Sequence, residues 1–150
     1  MKSFLLIAGL LSMSVCTQAM AQSVSLKPDD VIAARQGGMA LTGGIAASLK
    51  AAVAAGDDPK AYVDAATGLV KWGQAYPALF PEGTQTGRDT KAKKEIWSDR
   101  AGFEKAAAAM VVAAERLGDA AKSGDKAAFA AAFQTVGQSC GGCHRNYKER

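Results

Sequence analysis

The sequence predicts an all-α protein, specifically an antiparallel four-helix bundle. The composition favours helices over strands, because aromatic residues make up only 7% of a chain that is 49% hydrophobic and rich in alanine. Apolar residues also recur every three or four positions in four separate segments. The length of 150 residues fits one domain, and the apolar content is too high for a disordered chain.

Residues 1–21 are predicted to be a secretory signal peptide that is cleaved. Lys2 precedes an apolar run over 4–11, and residues 19–21 (Ala-Met-Ala) have the small-x-small pattern of a cleavage site. The mature domain is then 22–150, and we expect it in the periplasm. The apolar run is too short for a permanent anchor, and no other segment is expected to supply the roughly 20 apolar residues of a membrane span.

Proline, acidic residues and glycine delimit the first two helices. The first begins at Pro28, with aspartates at 29 and 30 at the positive end of the helix dipole, and it ends near Gly56. The second begins at Asp58-Pro59 and ends before Pro77. One face of the first helix carries seven residues in register: Ile32, Arg35, Met39, Thr42, Ala46, Leu49 and Val53.

A long connection, which ends near Lys94, precedes the other two helices. Irregular loops of this length are usually functional or mobile, so we expect this one to lie across a site. The third helix is predicted from Glu95 or Trp97 to Lys122, where a Ser-Gly pair ends it. The fourth begins at Asp125 and continues to the end of the chain. Its inward residues are Phe129, Phe133, Val136, Cys140, Cys143 or His144, and Tyr147.

The segment Cys140-Gly-Gly-Cys143-His144 has the pattern of c-type haem attachment. In that chemistry two thiols form thioether bonds to the haem vinyl groups, and the histidine supplies an axial nitrogen to iron. Residues three and four apart project from one side of a helix, so all three side chains can face one ligand. The pattern predicts one covalent haem c, with its iron, in the core of the bundle.

Other interpretations of this motif are weaker. A thioredoxin-like redox pair needs a βαβ setting, and a tetrahedral zinc site needs four ligands where the motif offers three. A structural disulfide between Cys140 and Cys143 leaves His144, the only histidine of the chain, unexplained. An all-α interaction module without haem is the remaining alternative.

Charge and the other motifs exclude further classes of protein. The mature chain has a net charge of +3 and lacks the clustered basic stripe of a nucleic-acid binder. No carboxylate pair, nucleophile–base pair or phosphate loop has a supporting context, so we expect no enzyme activity. Lys91, Lys93 and Lys94 form a solvated loop face or, alternatively, border the haem and attract an acidic redox partner.

The whole mature chain resembles the cytochrome c′ family, the class II c-type cytochromes. Arg35-Gln36 early in the first helix, Glu95-Ile96-Trp97 before the third, and a CxxCH motif close to the C-terminus carry the resemblance. Small class I cytochromes have that motif near the N-terminus instead. The resemblance implies a periplasmic four-helix haem protein, and a homodimer through the first two helices is common in this family.

The resemblance also implies individual haem contacts. Arg35 and Gln36 are expected at a haem propionate. The family places one residue of the loop before the third helix near a propionate, and here Asp89, Thr90 or Lys91 are the alternatives.

Met39 decides between two functions. The family places this position over the distal haem face, where some members bind iron through methionine and others have an apolar residue that leaves iron five-coordinate. Glycines at 37, 38, 43 and 44 favour close approach of a flat cofactor, and hence ligation. The leading expectation is a one-electron carrier with His144 and Met39 as axial ligands and an unidentified redox partner. The alternative is a five-coordinate protein that binds NO or CO.

Overall fold

The computed structural model describes residues 26–150, and these residues form a four-helix bundle. The long helices are α1 (Pro28–Ala55), α2 (Val63–Ala75), α4 (Arg100–Ser123) and α5 (Lys126–Tyr147), and α3 (Glu95–Ser98) is a single turn. Short 3₁₀ turns, Pro59–Tyr62 and Tyr76–Leu79, flank α2. The all-α prediction is therefore confirmed. The predicted signal peptide, 1–21, lies outside the described residues.

Most helix ends lie at the proline, glycine and capping residues that the sequence indicates. Pro28 begins α1, and Gly56 ends it in the left-handed conformation with φ 67°. Asp125 accepts hydrogen bonds from the amides of Ala127 and Ala128 and so begins α5. These contacts satisfy polar groups that a helix end leaves without partners.

Two of the predicted helices differ in the structure. The second starts as a 3₁₀ turn, because the Asp58 carboxylate accepts the amide of Lys60, and the α-helix proper begins only at Val63. The prediction of one continuous third helix is wrong. Asp99, with φ −121° and ψ 55°, interrupts it, and its side chain accepts the amide of Gly102 to begin α4 as a new helix.

Two hydrophobic clusters form the core of the bundle. The first joins buried leucine, alanine and phenylalanine side chains of α1, α2, α4 and α5. The second contains Phe80, Ile96, Phe103 and Tyr147 and lies beside the last turns of α5. In it the Phe103 ring stands nearly perpendicular to the rings of Phe80 and Tyr147, with centroids 5.0 and 5.4 Å apart. This aromatic cluster fixes the end of α5 that carries the haem motif.

Helix α1 exposes most of its outer face and has the composition of a membrane span. One 18-residue window has a mean hydropathy of 1.3 with 11% of it buried, so the expectation that no segment beyond 1–21 is apolar enough for a membrane span is wrong. Alanine raises the mean hydropathy of α1 without adding much bulk. Its inward residues Ile32 and Leu49 are fully buried against the bundle, and α1 is explained as the outermost helix of that bundle.

Candidate haem-binding site

A cleft with a cavity volume of about 130 Å³ opens between α1, the connection after α2 and the last turns of α5. Tyr76, Phe80, Ile96 and Phe103 give it largely apolar walls, as is usual for a ligand site. The connection over 80–94 therefore lies across a site, as the sequence indicated. The predicted site residues that line the cleft are Arg35, Gln36, Met39, Thr90, Lys91, Cys143 and His144.

The haem motif occupies the last turns of α5. Cys143 lines the cleft, whereas Cys140, one turn earlier, is half-buried against the first hydrophobic cluster. Both thiols are free, so the alternative of a structural disulfide is not supported. Burial raises the pKa of each thiol above its ordinary value, which keeps both groups protonated at neutral pH.

His144 borders the cleft and is exposed on its other side. Partial desolvation, aided by the positive charge of Lys148, lowers the pKa of His144 below its ordinary value. The imidazole is therefore neutral at pH 7, which is the form that ligates a metal. Within residues 26–150 no three His, Cys, Asp or Glu side chains converge on a metal-ion site, so the zinc alternative has no support.

Arg35 is buried, with 2% of its surface exposed. Its guanidinium donates to the carbonyls of Leu79 (3.2 Å) and Thr84 (2.7 Å) and to the hydroxyls of Thr84 (2.9 Å) and Thr90 (3.0 Å). It also lies 4.4 Å from the centroid of the Phe80 ring. Among the described residues, uncharged oxygens alone accept hydrogen bonds from this guanidinium, and the expected contact with a haem propionate stays a prediction.

The charge of Arg35 is nevertheless uncompensated by these partners. None of its hydrogen-bond acceptors is a carboxylate. Burial accordingly lowers the pKa of Arg35 below its ordinary value. A haem propionate in the adjoining cleft would supply the missing negative charge.

Thr84 is a site residue that sequence reasoning missed. It is 1% exposed, and its hydroxyl accepts from Arg35 while donating to the carbonyl of Pro81 at 2.8 Å. A threonine in a polar, aperiodic segment gives no burial signal in the sequence. Its role is to fasten the connection to α1 through Arg35.

Gln36 and Thr90 hold a tight turn at the mouth of the cleft. The Gln36 side-chain amide donates to the carbonyl of Arg88 at 2.9 Å, and the Thr90 amide donates to the carbonyl of Gly87 at 3.0 Å. Arg88 and Asp89 both have positive φ, 45° and 50°, as in a type I′ turn. Asp89 is exposed and does not line the cleft, so of the tentative haem contacts the structure places Thr90 there and Asp89 outside it.

Met39 is half-buried on α1 and lines the same cleft as His144. Of the four glycines near Met39, Gly38 has a packing explanation within the described residues. A Cβ atom on Gly38 would lie 2.0 Å from the Trp72 ring, and one on Gly43, or on either of the other two glycines, would have no neighbour within 4 Å. The expectation that these other glycines admit a flat cofactor stays a prediction.

These features together fit a covalently attached haem. A thiol and a neutral imidazole from one helix face a cleft with apolar walls, and a buried cation without an anionic partner lies at its side. A CxxCH motif on the last helix of a four-helix bundle defines the class of helical c-type cytochromes.

The chain belongs to the cytochrome c′ family, because the family model described as Cytochrome C' matches residues 30–148. It is similar to a cytochrome c′ of Rhodospirillum rubrum, with 39% identity over 60% of this chain and 61% of that one. It is also similar to a cytochrome c-556 of Agrobacterium tumefaciens, with 34% identity over 76% and 93% of the two chains.

A solved relative supports the same fold. The nitric oxide complex of a mutant cytochrome c prime from Alcaligenes xylosoxidans matches with a TM-score of 0.76 and 30% identity, over 84% of this chain and 98% of that one. The alignments with three cytochromes c′ that are 38 to 44% identical span only 55 to 61% of those proteins' own length. Members of the family carry covalently attached haem c with iron, and this protein is accordingly a haem c protein.

Proposed function

We propose that this protein is a five-coordinate haem protein that binds a neutral diatomic gas, NO or CO. Cys140 and Cys143 form the two thioether bonds, and His144 is the proximal iron ligand. When bound, the haem would supply an iron that can take a small ligand. Met39, which lines the cleft, would act as a steric gate that admits small ligands in preference to large ones.

One observation carries this proposal, namely the apolar character of the cleft that His144 borders. Tyr76, Phe80 and Phe103 form its walls, and the donors of Arg35 are directed to threonine and carbonyl oxygens. Apolar walls favour an uncharged ligand over a free ion at the iron, because burying an unpaired charge is costly, and the charge of Arg35 is left to pair with a haem propionate. The similar protein from Alcaligenes xylosoxidans, which was solved with nitric oxide, adds support.

The surrounding residues have separate tasks in holding the group. Arg35 compensates a propionate, and Thr84 keeps the Arg35 guanidinium in position. Gln36 and Thr90 hold the turn at the mouth of the cleft. We infer no catalytic step from these residues, and the protein acts by binding.

A second function, one-electron transfer, is favoured by the position of Met39. Its thioether lines the same cleft as His144, and thioether sulfur is a proper axial ligand that raises the potential. This was the leading expectation from the sequence. The comparisons support gas binding better, since the similar proteins include several named cytochrome c′ and one solved with nitric oxide.

Spectroscopy of Met39 variants separates the two functions. If the sixth position is open, the wild-type protein is high-spin and reduced protein binds CO at once, and Met39→Ala accelerates CO binding further. If Met39 ligates iron, the wild type is low-spin and only Met39→Ala becomes high-spin. Met110→Ala is the matched control, because Met110 packs against the first hydrophobic cluster, away from the cleft.

Export and assembly complete the proposal. Cleavage after residue 21 would release a mature chain beginning at Gln22 into the periplasm. Mass spectrometry of a periplasmic extract tests this directly.

A homodimer would bury the exposed small-residue face of α1 around Leu41, which is 74% exposed. Leu41→Glu should then shift the sedimentation coefficient to that of a monomer, and an unchanged coefficient would contradict this interface.

A further inference from the structure

We propose that the exposed basic surface beside His144 is the docking site for an acidic electron-transfer protein. The inference rests on the proposed attachment of haem through Cys140, Cys143 and His144. It applies whether the haem serves gas binding or electron transfer, because ferric haem has to be reduced before it can bind CO. We call this surface the basic rim and define it by Lys93, Arg145, Lys148 and Arg150.

The basic rim adjoins the haem cleft. The rim forms a second concave surface, and His144 and Lys148 line both that surface and the cleft. A protein seated on the rim would therefore lie directly against the proposed iron ligand. That adjacency brings a docked redox protein close to the proposed haem site.

The backbone that carries the rim is held in place by hydrogen bonds between the connection and the end of α5. An isolated β-bridge pairs Ala92 with Lys148. Backbone hydrogen bonds on either side of it run from the amide of Lys93 to the carbonyl of Tyr147 (3.0 Å) and from Glu149 to Lys91 (2.8 Å). The Lys93 ammonium also donates to the carbonyl of Arg145 at 2.9 Å. The connection and the end of α5 thus bring the basic residues of both segments together on one surface.

The excess charge of the described chain is concentrated at this rim. The rim has four basic side chains and one carboxylate, that of Glu149. Residues 26–150 carry 17 basic and 14 acidic groups, so the rim accounts for an excess as large as that of the whole described chain. The rest of that chain is balanced in charge, and the field attracts a negatively charged partner to this one face.

The electron exchange is simple to write. The reduced partner loses one electron and is oxidised, and the ferric haem iron gains that electron and becomes ferrous. No proton, bond or leaving group is transferred. A reduced acidic iron–sulfur protein is the partner chemistry that fits both the charge and the one-electron step.

Stopped-flow reduction of the full holoprotein by a plant-type [2Fe–2S] ferredoxin tests the proposal. This probe is an acidic one-electron donor of low potential. The variant is Arg145→Glu with Arg150→Glu, both exposed residues. The matched control is Lys71→Glu with Lys105→Glu, which makes the same charge change at exposed positions on α2 and α4.

At low salt, the rim variant should be reduced by ferredoxin with a second-order rate constant about tenfold or more below that of the wild type. This rate constant should also lose its dependence on salt concentration. The control should stay within about twofold of wild type. When oxidised ferredoxin is added to the ¹⁵N-labelled protein, the largest changes in chemical shift should occur at residues 91–94 and 145–150. Equal rate losses in both variants, or shifts elsewhere, would overturn the proposal.

Two further measurements keep the outcomes distinct. Reduction by dithionite and CO binding should be unchanged in the rim variant, so a failure of haem attachment or of gas binding would be seen separately. Co-sedimentation with phosphatidylglycerol vesicles tests an anionic membrane as the occupant. If the rim variant lost vesicle binding but kept its rate with ferredoxin, the surface would bind membranes and the protein-docking proposal would be wrong.

Discussion

Gly38 and Gly43 lie on the same helix but should respond to alanine in opposite directions. A Cβ atom on Gly38 would lie 2.0, 2.4 and 2.6 Å from three carbon atoms of the Trp72 ring. Ordinary contact begins at 3.4 Å, so the ring or the helix must move by about 1.4 Å. The indole cannot simply swing aside, because it packs against Tyr76 with centroids 5.1 Å apart.

The magnitude follows from two opposing contributions to the free energy of unfolding. Overpacking costs about 1–3 kcal/mol, and so close a contact with a rigid ring places Gly38→Ala near 3 kcal/mol. Alanine recovers about 1 kcal/mol of helix propensity, which leaves a net loss of about 2 kcal/mol. Gly43→Ala meets nothing within 4 Å and should gain up to about 1 kcal/mol.

Urea unfolding of both variants, followed by far-UV circular dichroism, measures these free energies. Relative to the wild type, we expect Gly38→Ala to unfold at a lower midpoint urea concentration and Gly43→Ala at a higher one. The dependence of the free energy of unfolding on urea concentration should be the same in all three proteins. If both variants were stabilised equally, Trp72 would not pack against Gly38, and close packing would not be the reason for a glycine at that position.

Three other substitutions or conditions test the packing around the cleft. Thr84→Val removes one of the four hydrogen-bond acceptors of Arg35 and should cost about 1–3 kcal/mol in urea unfolding, whereas Thr84→Ser, which keeps the hydroxyl, should cost less. Phe103→Ala should lower the free energy of unfolding by about 3–5 kcal/mol, since the ring is 1% exposed; a loss below about 1 kcal/mol would show that the aromatic cluster is loosely packed. Burial raises the pKa of Tyr76 to about 12, so its neutral form is favoured in the folded protein. The stabilisation that neutral Tyr76 contributes should therefore be fully present below about pH 10 and be lost as the pH rises towards 12. The free energy of unfolding of the Tyr76→Phe variant should fall less over that window than that of the wild type.

The sequence predicted the parts of the fold that depend on local signals. Pro28, Gly56 and Asp125 lie at helix ends because their conformational and capping properties act within one turn. The haem motif is equally local. The break at Asp99 was missed because a capping aspartate and an interior one look alike in a continuous apolar pattern.

The site was predicted in its composition but not in its contacts. The register of α1 placed Arg35 on a buried face, yet its partners are Thr84 and Thr90, which lie 49 and 55 residues away along the chain. Only the folded connection brings them together. Likewise Gly38 was assigned to a cofactor because no local rule shows that Trp72, on another helix, fills the space beside it.

Absorption spectra of the purified protein, oxidised, reduced and reduced with CO, test the central claim most directly. The proposed function predicts a covalent haem with a high-spin spectrum that shifts at once on addition of CO, because the sixth position is open. A low-spin spectrum that CO barely alters would contradict it and would make Met39 an iron ligand of an electron carrier.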